Sequence, residues 1–164
     1  MGSDWRAQLE GLANRLGEVL LERCWVLATA ESCTGGWVSQ VVTSIAGSSA
    51  WFDAGFVTYS NSAKQKMLGV KSQTLEAHGA VSEAVVLEMA LGACNASNAN
   101  CSVSISGVAG PGGGTPEKPV GTVWIGWCTP ENCWAQRFQF PGNRSQVRLQ
   151  AVEAALSGLL AAKS

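Results

Sequence analysis

The chain has 164 residues, 11 of them basic and 12 acidic, with 46% hydrophobic and 14% charged side chains. That length suits one compact domain able to bury a core without staples, and the near balance of charge leaves no basic excess for a nucleic-acid or membrane-surface footprint. A small-molecule ligand is therefore the expected partner. The opening MGSDWRAQLEGLANRL is amphipathic rather than leader-like, and no apolar run approaches the roughly 20 residues of a membrane span, so a cytoplasmic protein is expected.

Residues 4–22 place Trp5, Leu9, Leu12, Leu16, Val19 and Leu20 at three- and four-residue steps, which predicts a helix. CWVLATA (24–30) then reads as a buried strand, GWVSQVVTSI (36–45) as a helix, GFVTYS (55–60) as a second strand and NSAKQKMLG (61–69) as a short helix closed by Gly69. His78 precedes a glycine, the usual close of a helix. Ser82 suits the N-cap of a helix reaching about Ala96, and CSVSISGVA (101–109) is a third strand. The Gly- and Pro-rich stretch 110–121 is a loop. TVWIGWC and CWAQRFQF flank TPEN as a strand pair, and a helix over about 143–162 ends the chain. Alternation of strand and helix followed by a hairpin predicts an α/β fold, with a mixed, mostly parallel sheet covered by helices on both faces.

Six cysteines, Cys24, Cys33, Cys94, Cys101, Cys128 and Cys133, form no CxxC pair, so a zinc site has little support. In a reducing compartment they are expected as buried free thiols. The glycosylation sequons at Asn95, Asn100 and Asn143 are expected to be silent there.

Ligands of open α/β sheets bind beyond the carboxyl ends of the strands, and three polar or Gly-rich loops leave strand ends here: ESCTGG, YSNSAK and SGVAGPGGG. In the first, Gly35 and Gly36 stand at the start of a helix, where N–H groups and the helix dipole favour an anion. No Gly-Lys-Ser/Thr ending follows either Gly-rich loop, which excludes a Walker A site. Ser32 needs a base to act as a nucleophile. The residues alone leave two bases open, His78, the single histidine, and Lys64, with Cys33 as a rival nucleophile at the same helix start. A lysine of ordinary pKa is neutral in only about one molecule in a thousand near pH 7.4, so Lys64 would have to be buried or crowded by positive charge. Tyr59 could relay or steady the proton.

TAESCTGGWVS, IAGSSAWFDAGFVTYSNSAK, HGAVSE, SISGVAGPGGGTPEKPVGTVW and FPGNRSQVR together resemble the CinA C-terminal domain family, in particular its stand-alone nicotinamide mononucleotide deamidases, from about residue 8 to 160. The resemblance implies a three-layer α/β/α sandwich with a mixed five-stranded sheet as a single domain over 1–164. It also implies hydrolysis of the carboxamide of nicotinamide mononucleotide to nicotinic acid mononucleotide and ammonia, in pyridine-nucleotide salvage, with no metal or organic cofactor. Carried over residue by residue, it makes Ser32 the nucleophile, Lys64 the base and Tyr59 the nearby tyrosine, and turns Cys33 into a packed neighbour. By the same resemblance the phosphate falls between the Thr34-Gly35-Gly36 turn and Arg144, with Arg148 four residues on along the same helical face. Ser106, Gly107 and Gly110 of the third loop would approach the ligand. Where the family usually reads Gly-Asp-Arg this chain has Gly142-Asn143-Arg144, which keeps an N-cap and loses one negative charge.

Two other readings compete with the amidase: a nucleotide-binding or regulatory module of the same family without turnover, and a thiol enzyme using Cys33 with His78. Family habit and the tryptophans Trp51, Trp124, Trp127 and Trp134 predict a homodimer.

Overall fold

The computed structural model describes residues 4–162. Helix α1 (Trp5–Arg23) buries Leu9, Ala13, Leu16 and Leu20 and is closed by Cys24 in the left-handed conformation at φ 57°. That cap, with Trp25 N–H donating back to Leu20 O, delays the first strand. Strand β1 is Leu27–Glu31 rather than 24–30. After α2 (Trp37–Thr43) and one 3-10 turn at Ser48–Ala50, β2 spans Phe52–Val57, three residues earlier than the pattern suggested. The second shift moves Thr58 to Ser60 out of β2 and into the turn beyond it, and Ser32 stands just past the end of β1.

Helix α3 (Asn61–Leu68) is capped by the Ser60 hydroxyl, which accepts from Ala63 N–H, and by Gly69 in the left-handed region. A short α4 (Ser72–His78) follows, which the sequence signalled only through its closing His78-Gly79. Helix α5 (Glu83–Asn95) starts at the Ser82 cap as expected. Strands β3 (Cys101–Gly107), β4 (Thr122–Cys128) and β5 (Cys133–Gln139) complete the sheet, and α6 (Arg144–Ala161) opens on a capping box in which Asn143 and Gln146 satisfy each other's backbone N–H groups. Asn143 thus does the capping expected of the usual aspartate.

The strand order is β2-β1-β3-β4-β5. β2, β1 and β3 run parallel, β4 is antiparallel to β3, and β5 is antiparallel to β4. Four of the five strands therefore point one way, and the carboxyl ends of β1, β2 and β3 share one edge of the molecule.

Two apolar layers cover the sheet. Leu27, Val103, Ile105, Val123 and Ile125 pack with α1, α2 and α6, whereas Ala28 and Ala30 pack with Val85, Val86 and Met89 of α5. The alternation along β1 sends Leu27 to the first layer and Ala28 and Ala30 to the second. Small residues bring α5 close to the sheet: Ser102 and Ser104 donate to the Ala90 and Val86 carbonyl oxygens, and a side chain at Gly126 would strike Val86 O.

The cysteine expectation needs correction. Cys128 and Cys133 form a disulfide across β4 and β5, with Cα atoms 4.1 Å apart. The four-residue TPEN turn sets them directly opposite each other in the ladder, a proximity that a rule based on compartment does not see. Cys24, Cys33, Cys94 and Cys101 are free. Trp51 and Trp127, two of the four tryptophans from which a homodimer was expected, lie in the chain's own core, and Trp127 donates to Ala155 O of α6.

Candidate active site

Ser32 follows β1 directly, with its N–H on Ile105 O of β3 and its side chain 8% exposed. Lys64, one turn into α3, is buried at 1% exposure. Its Nζ donates to Thr58 O at 2.8 Å and Tyr59 O at 3.1 Å, and stands 2.9 Å from Ser32 Oγ. Two carbonyl acceptors therefore fix two of the three tetrahedral positions of the amine and aim the third at the serine. Burial lowers the Lys64 pKa from its ordinary 10.5, against a smaller opposing contribution from Cys33. The pair has the arrangement needed for base-assisted attack by a serine oxygen.

Tyr59 contributes to this pair through its main chain. Its ring is 64% exposed and its phenol lies 3.4 Å from Arg144 Nη2, with no hydrogen bond to Ser32 or Lys64. Arg144 Nη1 donates to Gly110 O at 2.8 Å. Contacts thus run from Ser32 through Lys64 and Tyr59 to Arg144 and Gly110, joining β1, α3, α6 and the Gly-rich loop at the carboxyl edge of the parallel strands.

Gly110 has φ +87°, and a Cβ there would meet Val120 Cγ1 at 2.6 Å. Gly107 is crowded by Val123 and Thr122 of β4, so its lack of a side chain serves strand packing. Ser106, next to last in β3, is buried at 2% exposure.

The ESCTGG turn differs most from its reading in the sequence. Gly35 and Gly36 take left-handed φ values of +60° and +101°. Gly35 N–H is turned back to Ser32 O, while Cys33, Thr34 and Gly36 N–H have no protein acceptor among the described residues. The anion at the start of α2 belongs to the protein itself. The Glu31 carboxylate accepts from Thr34 Oγ1 at 2.7 Å and Val38 N–H at 2.9 Å through Oε1, and from Ser39 N–H and Ser39 Oγ at 3.0 Å each through Oε2. Thr34 is fully buried with its hydroxyl facing inward. Arg148 donates from Nε to Cys33 O and from Nη2 to Thr34 O, and lies over the Trp37 ring. Sequence reasoning missed Glu31. Its one signal was a carboxylate ending an otherwise apolar strand and followed by a helix start.

Cys33 and His78 are not brought together. Burial, the largest influence, pushes the Cys33 thiol up to about 11, so it stays protonated at neutral pH. His78 lines a separate hollow of about 510 Å³ with Lys118, Trp124 and Arg137. No group of three or more metal-ligating side chains occurs among the described residues, and no helix there is long and apolar enough to cross a membrane.

The sequence description of the CinA C-terminal domain matches residues 9–163, nearly the whole chain. The chain belongs to the CinA C-terminal domain family. Within it, the chain is 54% identical over 154 residues to a protein of Escherichia coli K12 named nicotinamide-nucleotide amidohydrolase PncC, covering 93% of each. It is 52% identical over 149 residues to the like-named protein of Pseudomonas putida, covering 91% of this chain and 93% of that one. Among solved structures, the competence/damage inducible protein CihA of Agrobacterium tumefaciens superposes with a TM-score of 0.90 at 44% identity, covering 93% of this chain and 94% of that one. The five-stranded α/β architecture is that of CinA structures.

Proposed function

We propose that the chain is a nicotinamide-nucleotide amidohydrolase, converting nicotinamide mononucleotide to nicotinic acid mononucleotide and ammonia in pyridine-nucleotide salvage. The observation that carries the Ser-Lys mechanism is the 2.9 Å approach of the buried Lys64 Nζ to Ser32 Oγ. The names of relatives at 52–54% identity support the substrate.

Neutral Lys64 takes the Ser32 proton as Oγ bonds to the carboxamide carbon, and the carbonyl π electrons move to oxygen. Backbone N–H groups are the suited donors for that oxyanion, and Cys33 and Thr34, just beyond the nucleophile, have theirs free of protein acceptors. Collapse breaks the C–N bond, and ammonia leaves with the proton held by Lys64. Water then attacks the ester, giving its proton to Lys64 and from there to Ser32 Oγ.

Arg144 is the proposed phosphate partner, since it is exposed and lies at the first turn of α6 beside Tyr59 and Gly110. Arg148 is not proposed, because two of its guanidinium nitrogens hold turn carbonyls. Gly36 N–H is a further donor for the ligand, while the Thr34 hydroxyl is committed to Glu31. A homodimer is proposed as the working form. Val57 and Tyr59 at the β2 edge and Met67 on α3 are exposed apolar side chains available to a second copy, and light scattering at micromolar concentration giving the monomer mass would refute it.

The deciding assay is ammonia release from nicotinamide mononucleotide by wild type, Ser32→Ala and Lys64→Ala, with and without chelator. Loss of about 100-fold or more in both variants, indifferent to chelator, is expected. The acid limb of kcat/KM should report deprotonation of Lys64, with an apparent pKa below 10.5. A wild type that binds the nucleotide and releases no ammonia would make the chain a binding module instead.

A further inference from the structure

We propose that Glu31 is the positioning residue of the nucleophile turn: its buried carboxylate occupies the anion position at the start of α2 and thereby sets the place of Ser32 Oγ and of the N–H groups beyond it. This rests on the amidase reading above.

Glu31 is 1% exposed, and its four donors, two backbone N–H groups and two hydroxyls, are all neutral. A buried carboxylate without a cationic partner is costly unless its oxygens are fully hydrogen-bonded. Here each oxygen has two donors, and the helix start adds the favourable end of its dipole. The bonds span residues 34 to 39, so one side chain ties the end of β1 to the turn and to the first turn of α2. Ser39 Oγ is in turn 2.7 Å from Thr29 Oγ1, anchoring the network to β1 a second time.

The turn is also gripped by Arg148, whose nitrogens hold the Cys33 and Thr34 carbonyl oxygens. Arg148 holds the carbonyls of the turn directly, and Glu31 holds the turn through the Thr34 hydroxyl and the start of α2 through Val38 and Ser39 N–H, so a carboxylate and a guanidinium together fix the turn beyond Ser32. Cys33 and Thr34 N–H are then left without protein acceptors. Fixed donors of this kind are effective only when held within a fraction of an ångström of their place.

Glutamine is not a neutral replacement. Its NH2 group would confront either Thr34 Oγ1 and Val38 N–H or the two Ser39 donors. Thr34→Val removes one donor and keeps the shape.

The test compares wild type, Ser32→Ala, Glu31→Gln and Thr34→Val, with the folded fraction of each fixed by circular dichroism. It reads kcat and KM on nicotinamide mononucleotide and the rate at which a fluorophosphonate labels Ser32. Expected are falls in kcat per folded molecule of about 100-fold for Glu31→Gln and about 10-fold for Thr34→Val, with KM within about threefold and labelling slowed in the same ratio. Folded variants that keep kcat and labelling within about twofold of wild type overturn the proposal, as does a rise in KM at unchanged kcat, which would make the turn a ligand contact. Should Glu31→Gln fail to fold, Thr34→Val decides by the same criteria. A wild type that releases no ammonia sinks the amidase reading alone, because the labelling ratio still reports whether Glu31 positions Ser32.

Discussion

At the scale of single residues, what a side chain touches separates groups that the sequence made look alike. Tyr59 stands five residues before Lys64, and its carbonyl oxygen, which any residue would supply, is what meets the lysine. The phenol instead faces Arg144. Tyr59→Phe should therefore leave kcat within about threefold of wild type and act mainly on KM, because losing one exposed hydrogen bond is worth roughly 1 kcal/mol; steady-state kinetics check this, and a kcat loss beyond about 100-fold would restore the phenol as a proton relay. Ser32 and Lys64 stood among the candidates because a serine near two glycines and a lysine after a strand are compact local signals, but the residues alone left Cys33 and His78 beside them, and the family resemblance chose the pair. Glu31 was not, since nothing in AESCTGG tells whether its carboxylate points to solvent or curls over the helix that follows. Arg148 was legible only as a cation on one face of a helix; its partners are carbonyls more than 100 residues away in sequence.

At the scale of elements, periodicity and caps located α1, α3, α5 and α6 within a residue or two, because each carries a helical stripe or a distinct cap. Strand ends were harder to read. β1 and β2 are short, and the apolar residues that begin the CWVLATA run belong to the turn that packs the end of α1, not to the sheet. The β4-β5 hairpin was legible from its turn, yet its disulfide was not, because the cysteines were weighed by environment rather than by register. That bridge lies at the end of β4 paired with Ser102, whereas the end paired with Gly107 adjoins the loops of the site. Reduction should accordingly leave kcat unchanged. It closes a loop of only five residues' separation, so the loss of stability should be no more than about 2 kcal/mol by chain entropy. Thermal melts and activity with and without dithiothreitol check both statements, and a kcat that falls on reduction would show that the far end of the hairpin communicates with the site.

At the scale of the whole molecule, burying an amine inside a nearly neutral protein makes its stability depend on pH in a definite sense. The folded-state pKa of Lys64 is lowered by burial, whereas the unfolded chain keeps about the ordinary 10.5. Below the folded value both states carry the proton, and the folded state bears the full cost of the buried charge. Between the two values the unfolded state binds more protons, so unfolding free energy rises with pH. Above 10.5 both are neutral and the cost is gone. Lys64→Met has no such group, and the two proteins share every other titrating side chain. Wild type should therefore gain stability relative to Lys64→Met as pH climbs from the folded pKa toward 10.5, whatever the fixed offset left by losing the two carbonyl contacts. Urea unfolding of both proteins across pH 6 to 10 measures the difference. A constant difference would mean that the amine is no harder to charge when folded than when unfolded, and would remove the physical basis for a neutral Lys64 acting as a base.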